Sequence, residues 1–247
     1  MADRRQPPKV LGHRGYRARF PENTLLAFAK AFESGADGIE CDLQKSADGR
    51  FVIIHDDVVD RVSNGRGKVG RMRFDELRRL DVGKGERIPE LHELLAMIPR
   101  GKYLDLELKA ETLSASDCPP IAEILTAHAD RANLMVSSFS PSLLTCFRRR
   151  GFVVGLLVGE ELASAGALAL ATLLVSLRPR YVNIPVQVMD GRGVPRARAL
   201  LRLLRACGLS ILLWTVNTTE EAEALSDLAQ IVVTDEVERI VRFRGRS

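Results

Sequence analysis

The fold class predicted by this sequence is α/β: a (β/α)8 TIM barrel, eight parallel strands each followed by a helix, with a small insertion after the second strand. Three observations predict it. Short apolar runs alternate with longer amphipathic stretches from one end to the other, the runs number eight, and the 247 residues match the length of such a barrel. Periodicity alone does not separate a closed sheet from a doubly wound open one, but strand count and length favour closure. Residues 1–247 are therefore expected to form one domain, with the insertion at about residues 60–88 inside it.

The elements follow in order. Val10-Leu11-Gly12 is the first strand and Thr24 to Ser34 the first helix. Gly38 to Leu43 is the second strand. Phe51 to His55, just beyond the turn Ala47-Asp48-Gly49, is an extra run that makes a hairpin with it. Asp60 to Arg87, rich in Gly, Arg and charge, is the insertion, placed where long loops shape a barrel's mouth. Within it, Gly65-Arg66-Gly67 lacks the GK[ST] ending of a phosphate loop and reads as a turn. The helix Leu91 to Ile98 precedes the third strand, Lys102 to Leu108, and the helix Ile121 to Ala129 precedes the fourth, Leu134 to Phe139. Arg148-Arg149-Arg150 closes the next helix, where cations complement the dipole. The fifth strand is Val153 to Val158, and the apolar, Ala-rich stretch Leu162 to Leu177 reads as a buried helix. Then come the strand Tyr181 to Val186, the helix Ala197 to Cys207 and the strand Ile211 to Val216. Thr218-x-x-Glu221 has the form of a capping box at the start of the helix Glu220 to Leu228, and Ile231 to Thr234 is the eighth strand.

Composition narrows the class of function. With 46% hydrophobic and 28% charged residues, the chain is ordinary globular protein, long enough to bury a core without disulfides. A net charge of +4 invites nucleic acid, but the basic residues are scattered through helices and few aromatics interleave with them, so no nucleic-acid partner is expected. Cys41, Cys118, Cys146 and Cys207 show no metal spacing and read as unpaired, buried thiols in a reducing compartment. Met1 to Lys9 is polar, and no run of about 20 apolar residues occurs, so cytoplasmic residence without integral membrane association is expected.

The chemistry gathers at the expected strand ends. Side chains alternate along a strand, so Glu40 and Asp42 share one face while Cys41 takes the other. By the same rule Asp105, Glu107 and Lys109 oppose Leu104, Leu106 and Leu108. Two carboxylates about 5 Å apart repel by about 3 kcal/mol at an effective dielectric near 20. Three pairs among Glu40, Asp42 and Glu107 would cost on the order of 10 kcal/mol, comparable to a domain's whole stability. One divalent cation offsets this, and an all-oxygen ligand set suits Ca²⁺ or Mg²⁺ over zinc, with Mn²⁺ a third candidate. His13 and His55, both at the presumed mouth, supply imidazoles that titrate near neutrality, as acid and base. His92 and His128 lie in helices and read as ordinary surface or packing residues. Arg14 offers a forked donor to phosphate oxygens and Lys109 a point charge. Trp214, the single tryptophan, and Phe139 would form an apolar wall for the substrate. Glu22 would hold Arg14 or His13 in place, and Asn23 or Thr24 would cap the first helix, with capping preferred for Asn23.

The ordered string His13-Arg14-Gly15, Pro21-Glu22-Asn23-Thr24, Glu40-Cys41-Asp42 and His55-Asp56 resembles the glycerophosphodiester phosphodiesterase family, within the phosphatidylinositol-phospholipase-C-like barrels. Glu107-Leu108-Lys109, Ser138-Phe139, Trp214-Thr215-Val216-Asn217 and Thr234-Asp235 extend the resemblance over nearly the whole chain. It implies metal-dependent hydrolysis of a small-molecule glycerophosphodiester to glycerol 3-phosphate and an alcohol, through a two-histidine mechanism. Two places depart from the family's pattern: Arg61-Val62-Ser63-Asn64-Gly65 lacks the usual threonine pair, and Glu236-Val237 follows Asp235 in place of a proline. The first bears on substrate preference rather than on chemistry. The alternatives are a lysophospholipase D-type phosphodiesterase, which needs a channel for an acyl chain, and a non-catalytic barrel that binds anionic metabolites and has no use for two histidines.

Overall fold

The computed structural model describes residues 7–128, 130–159, 162, 166–189, 194–225 and 227–245. Its strands are β1 (Lys9–His13), β2 (Gly38–Lys45), β3 (Phe51–Ile53), β4 (Lys102–Leu108), β5 (Ala132–Ser138), β6 (Val153–Leu157), β7 (Tyr181–Pro185), β8 (Ser210–Trp214) and β9 (Ile231–Thr234). Eight of them are parallel in the order β1-β9-β8-β7-β6-β5-β4-β2, and β1 pairs with β2, so the sheet closes on itself. The expected hairpin is β3, antiparallel to β2 with Leu43 opposite Ile53 and Lys45 opposite Phe51.

The helices described are α1 (Leu25–Glu33), α2 (Phe74–Arg79), α3 (Leu91–Met97), α4 (Cys118–Thr126), α5 (Pro141–Arg149), α6 (Ala167–Leu177), α7 (Val194–Ala206), α8 (Thr219–Leu225) and α9 (Val237–Arg244). Alternation along the strands sorts the layers as anticipated. Ile39, Cys41, Leu43, Leu104, Leu106 and Leu108 point outward and are buried under Phe28, Leu94, Ile121 and Leu125 of the helices. The opposite faces of β2 and β4 turn Glu40, Asp42, Asp105 and Glu107 into the barrel. The Thr218–Glu221 capping box forms, with Thr218 N–H donating to Glu221 Oε2 at 3.0 Å and Glu221 N–H to Thr218 Oγ1 at 3.2 Å.

The insertion has its own small core. Val52, Ile54, Val59, Val69, Leu77 and Ile88 pack together, which fastens α2 and the 3-10 turn Val69–Arg71 to the hairpin. The same packing fixes the approach of His55 to the barrel mouth.

Two expectations are corrected. The stretch Leu162 to Leu177 is not a buried helix: α6 leaves Leu168 and Val175 in solvent, 82% and 72% exposed. Residues 163–165 of that stretch lie outside those described. The cysteines are not four buried thiols either. Cys118 and Cys146 form a disulfide between the first residue of α4 and the middle of α5, their Cα atoms 6.3 Å apart. Only Cys41 is a buried free thiol, and Cys207 is exposed. Sequence spacing does not reveal a pairing that depends on which helices the barrel sets side by side. Among the described residues, no helix is long and apolar enough to cross a membrane.

Candidate functional site

Strand register builds the site. His13, the last residue of β1, pairs with Glu40; Glu40 pairs with Asp105, and Asp42 with Glu107. Lateral neighbours in a parallel sheet point to the same face, so hydrogen bonding alone stacks these groups together. One carboxylate oxygen from each of Glu40, Asp42 and Glu107 lies within 4.8 Å of the others. Lys109, one residue past β4, sets its Nζ 2.9 Å from Asp42 Oδ1 and 2.5 Å from Glu107 Oε1.

The turn after β1 is held in an uncommon backbone shape. Arg14 has φ 51° and Gly15 φ 81°, and a Cβ on Gly15 would lie 2.6 Å from the backbone of Ala27. Only glycine fits there. The same turn aims Arg14 N–H at Glu40 Oε2, 3.0 Å away, and swings the guanidinium between Glu22 Oε1 at 2.9 Å and Asp42 Oδ2 at 3.3 Å.

Each histidine is tied to a carboxylate. His13 Nδ1 lies 2.7 Å from Asp235 Oδ1, and His55 Nδ1 lies 2.6 Å from Asp56 Oδ1. Burial opposes ionisation of Asp235, but its bonds to His13 and Asn217 outweigh this and hold it below the usual carboxylate range. Bonds to Arg61 and His55 bring Asp56 down to about 2. Both acids are thus ionised acceptors near neutral pH, so each Nδ1 carries the proton and each Nε2 is left for chemistry. His13 Nε2 is 3.9 Å from Glu40 Oε2. Burial lowers the proton affinity of both imidazoles, against the opposing pull of Asp235 on His13 and of Asp42 on His55.

The three acids differ sharply. Burial, then repulsion from Asp42 and Glu107, raises Glu40 well above the ordinary range. Burial pushes Glu107 up to about 7, with Lys109 opposing. Burial also disfavours ionised Asp42, but Lys109, Arg14, His55 and the Asn23 amide hold it far below the ordinary range. Asp105, deeper in the barrel, is pushed up to about 7 by burial despite a 2.6 Å bond from Ser137 Oγ.

His13, Arg14, Glu40, His55, Glu107 and Lys109 line one cavity of about 130 Å³. Trp214 and Phe139 form its apolar wall, their rings edge to face at 6.2 Å, and Phe139 is 47% exposed. Glu22 lies outside the cavity lining and gathers cations, with Arg61 at 2.7 Å and Arg17 at 3.5 Å besides Arg14. His92 and His128 sit apart, their rings 6.4 Å from each other and neither lining this cavity.

One assignment changes, and four residues join the site. Thr24, not Asn23, caps α1, accepting from Ala27 N–H at 3.1 Å. Asn23, at φ 57°, turns inward instead, and its Nδ2 donates to Asp42 Oδ2 at 2.8 Å. In the sequence, Asp56, Arg61, Asn217 and Asp235 stand only as members of motifs and carry no assigned role. Asn217 Nδ2 donates to Asp235 Oδ2 at 2.8 Å, and Arg61 bridges Asp56 to Glu22. The signal that could have found them is adjacency to a candidate histidine, in sequence for Asp56 and across the closing strands for Asp235.

Known proteins resemble this chain over nearly its whole length. The model of the glycerophosphoryl diester phosphodiesterase family matches residues 13–239. A glycerophosphodiester phosphodiesterase of Caldanaerobacter subterraneus subsp. tengcongensis is 32% identical over 95% of this chain and 96% of its own. The crystal structure of a glycerophosphodiester phosphodiesterase from Thermotoga maritima superposes with a TM-score of 0.81, at 32% identity, covering 95% of this chain and 97% of that one. An Oleispira antarctica phosphodiesterase in complex with the product sn-glycerol-3-phosphate gives a TM-score of 0.85 at 27% identity, covering 97% of each.

Proposed function

Since the chain belongs to the glycerophosphoryl diester phosphodiesterase family, an enzyme family of phosphoric diester hydrolases, we propose that its cavity hydrolyses glycerophosphodiesters to glycerol 3-phosphate and an alcohol with the aid of a divalent cation. One observation carries this reading. Two imidazoles with their Nδ1 atoms engaged face the same cavity as a guanidinium and a cluster of carboxylates. A passive anion binder has no need of the first feature or the last.

The residues fit a hard cation. Three carboxylate oxygens lie within 4.8 Å of one another, and burial together with repulsion from Asp42 and Glu107 raises Glu40, a cost that a cation would relieve. Glu40, Asp42 and Glu107 would hold the ion, Ca²⁺ or Mg²⁺ by donor type. When bound, it would neutralise charge developing on the phosphate oxygens.

The side chains do the rest. Arg14 and Lys109, already charged and already partly desolvated, need no reorganisation to meet an arriving phosphate. One imidazole takes the proton from the attacking oxygen through Nε2, and the other delivers a proton to the leaving alkoxide. The phosphate anion raises the proton affinity of the nearer imidazole, which separates the two roles although burial lowers both. Asp235 and Asp56 hold the rings in one tautomer and stabilise whichever becomes charged. Asn23 and Glu22 fix Asp42 and Arg14 behind them. Phe139 and Trp214 present an apolar edge to the glycerol carbons. A cavity of about 130 Å³ has room for a glycerol phosphate head, and the lysophosphatidylcholine arm of the assay below separates this reading from lysophospholipid cleavage.

The test is a panel of glycerophosphocholine, glycerophosphoethanolamine and lysophosphatidylcholine, each assayed with Ca²⁺, Mg²⁺ and Mn²⁺. Release of glycerol 3-phosphate from the first two, abolished by chelation, is expected. Binding without turnover across the panel would overturn the proposal.

A further inference from the structure

The charge of this chain is divided unevenly. From Arg131 to Thr219 it carries eleven arginines, no lysine and three acidic residues, against 25 basic and 29 acidic residues elsewhere. None of the three acids, Glu160, Glu161 and Asp190, lies in α5, α6 or α7. α6 has no charged residue along its 11 positions, and the charged residues of α5 and α7 are all arginine. A strong asymmetry of this kind points to an anionic surface as partner.

The three helices are neighbours, since they follow the adjacent strands β5, β6 and β7. α6 turns Leu170 and Leu174 inward, between the cluster that contains Phe147 of α5 and the cluster that contains Leu201 and Leu204 of α7. What faces out is unusual for a barrel helix. Leu168 is 82%, Val175 72% and Leu203 61% exposed, and Leu200 is also exposed. On the same three helices and at their C-terminal ends, Arg148, Arg149, Arg150, Arg178 and Arg202 are exposed and pair with no carboxylate among the described residues. Elsewhere in the chain Arg14, Arg17, Arg50, Arg61 and Arg78 pair with acids, although among the described residues Arg66 and Arg71 do not.

We propose that the α6–α7 face docks on an anionic lipid bilayer, with α6 lying in the plane of the interface. Aliphatic side chains flanked by arginines match both parts of such a surface: the leucines and valine enter the acyl boundary while the guanidinium groups meet lipid phosphates. A second copy of this chain is a poor occupant, because self-docking would set arginine against arginine. Nucleic acid is also a poor one, because α6 and α7 offer no aromatic ring for stacking and their exposed aliphatic side chains have no partner on a phosphate backbone. The contact is peripheral, in keeping with the absence of a membrane-spanning helix among the described residues. It stands independently of the chemistry proposed for the cavity.

Co-sedimentation of the full chain with vesicles tests this. Wild type is expected to pellet with phosphatidylcholine vesicles rich in phosphatidylglycerol and to remain in solution with phosphatidylcholine alone. Arg178→Gln with Arg202→Gln should weaken partitioning about thirtyfold, from about 1 kcal/mol per basic residue at a charged membrane. Leu168→Ser with Val175→Ser should weaken it as well, although no charge changes. Thermal melting confirms that each double variant is folded. Equal binding to neutral vesicles, no binding to anionic ones, or undiminished binding by folded variants would overturn the proposal. So would a wild-type dimer in sedimentation velocity that the Leu168→Ser, Val175→Ser variant dissociates, since a second copy would then cover this face. Oligonucleotide binding lost with the arginines and kept without the aliphatic side chains would also overturn it.

Discussion

Asp235 Oδ1 lies 2.7 Å from His13 Nδ1 across 222 residues of sequence, and the pair sits where β9 meets β1 to close the barrel. Closure of the sheet and orientation of a candidate catalytic ring are therefore one structural event. Asp235→Asn keeps the shape but removes the charge, so His13 loses a partner that raises its proton affinity. Turnover should fall about a hundredfold, with little change in KM. The pH–rate limb belonging to His13 should move to lower pH. If the acid limb moves, His13 is the base; if the alkaline limb moves, it is the acid. An unmoved profile would separate Asp235 from the chemistry.

His13→Ala and His55→Ala should each reduce kcat by about 10²- to 10⁴-fold, the usual worth of positioned proton transfer. Divalent binding by calorimetry should survive both changes, since neither ring belongs to the carboxylate cluster. Near-normal turnover in both variants would remove the histidines from the mechanism.

Divalent binding should itself depend on pH. Glu107 is raised to about 7 and Glu40 is raised too, so at and below neutrality a cation must displace protons from this cluster. Affinity is expected to rise as pH increases through about 7, and calorimetry in buffers of different ionisation enthalpy should register proton release. Glu40→Ala should abolish the binding. A pH-independent affinity, or one unaffected by Glu40→Ala, would place the ion elsewhere.

The parts of this molecule legible in sequence are those governed by period and register. Alternation at Glu40-Cys41-Asp42 and at Leu104 to Lys109 predicts which side chains enter the barrel, and hydrogen-bonded pairing of β2 with β4 then brings Asp42 beside Glu107. Long-range geometry is less legible. Asn23 reads as a cap because that is what Asn does before a helix, yet a positive φ at Asn23 leaves Thr24 at the cap and sends the amide to Asp42. The Cys118–Cys146 bridge depends on neighbouring helices 28 residues apart, which no spacing rule encodes. The exposure of α6 escapes for the same reason: Leu162 to Leu177 looks buried by composition, and only the barrel shows which face lacks a cover.

Glu22 makes a separate prediction about stability. It ties Arg14, Arg17 and Arg61 together, and although burial opposes its ionisation, these cations lower it from 4.5 to about 2. A carboxylate whose folded value is depressed stabilises the fold above its unfolded value, and that contribution disappears as pH falls through the folded value. The window is therefore about pH 4.5 down to about pH 2. At neutral pH the contribution is at most about 3 kcal/mol, and solvent screening reduces it because Arg61 is 47% exposed. Glu22→Gln should lose most of it at pH 7 and leave Arg14 desolvated without its partner. The difference between wild type and variant, followed by urea unfolding, should narrow steadily across that window and vanish at its acid end. A gap that stays constant with pH would mean that Glu22 acts by packing, and the charge pairing would then contribute nothing to the fold.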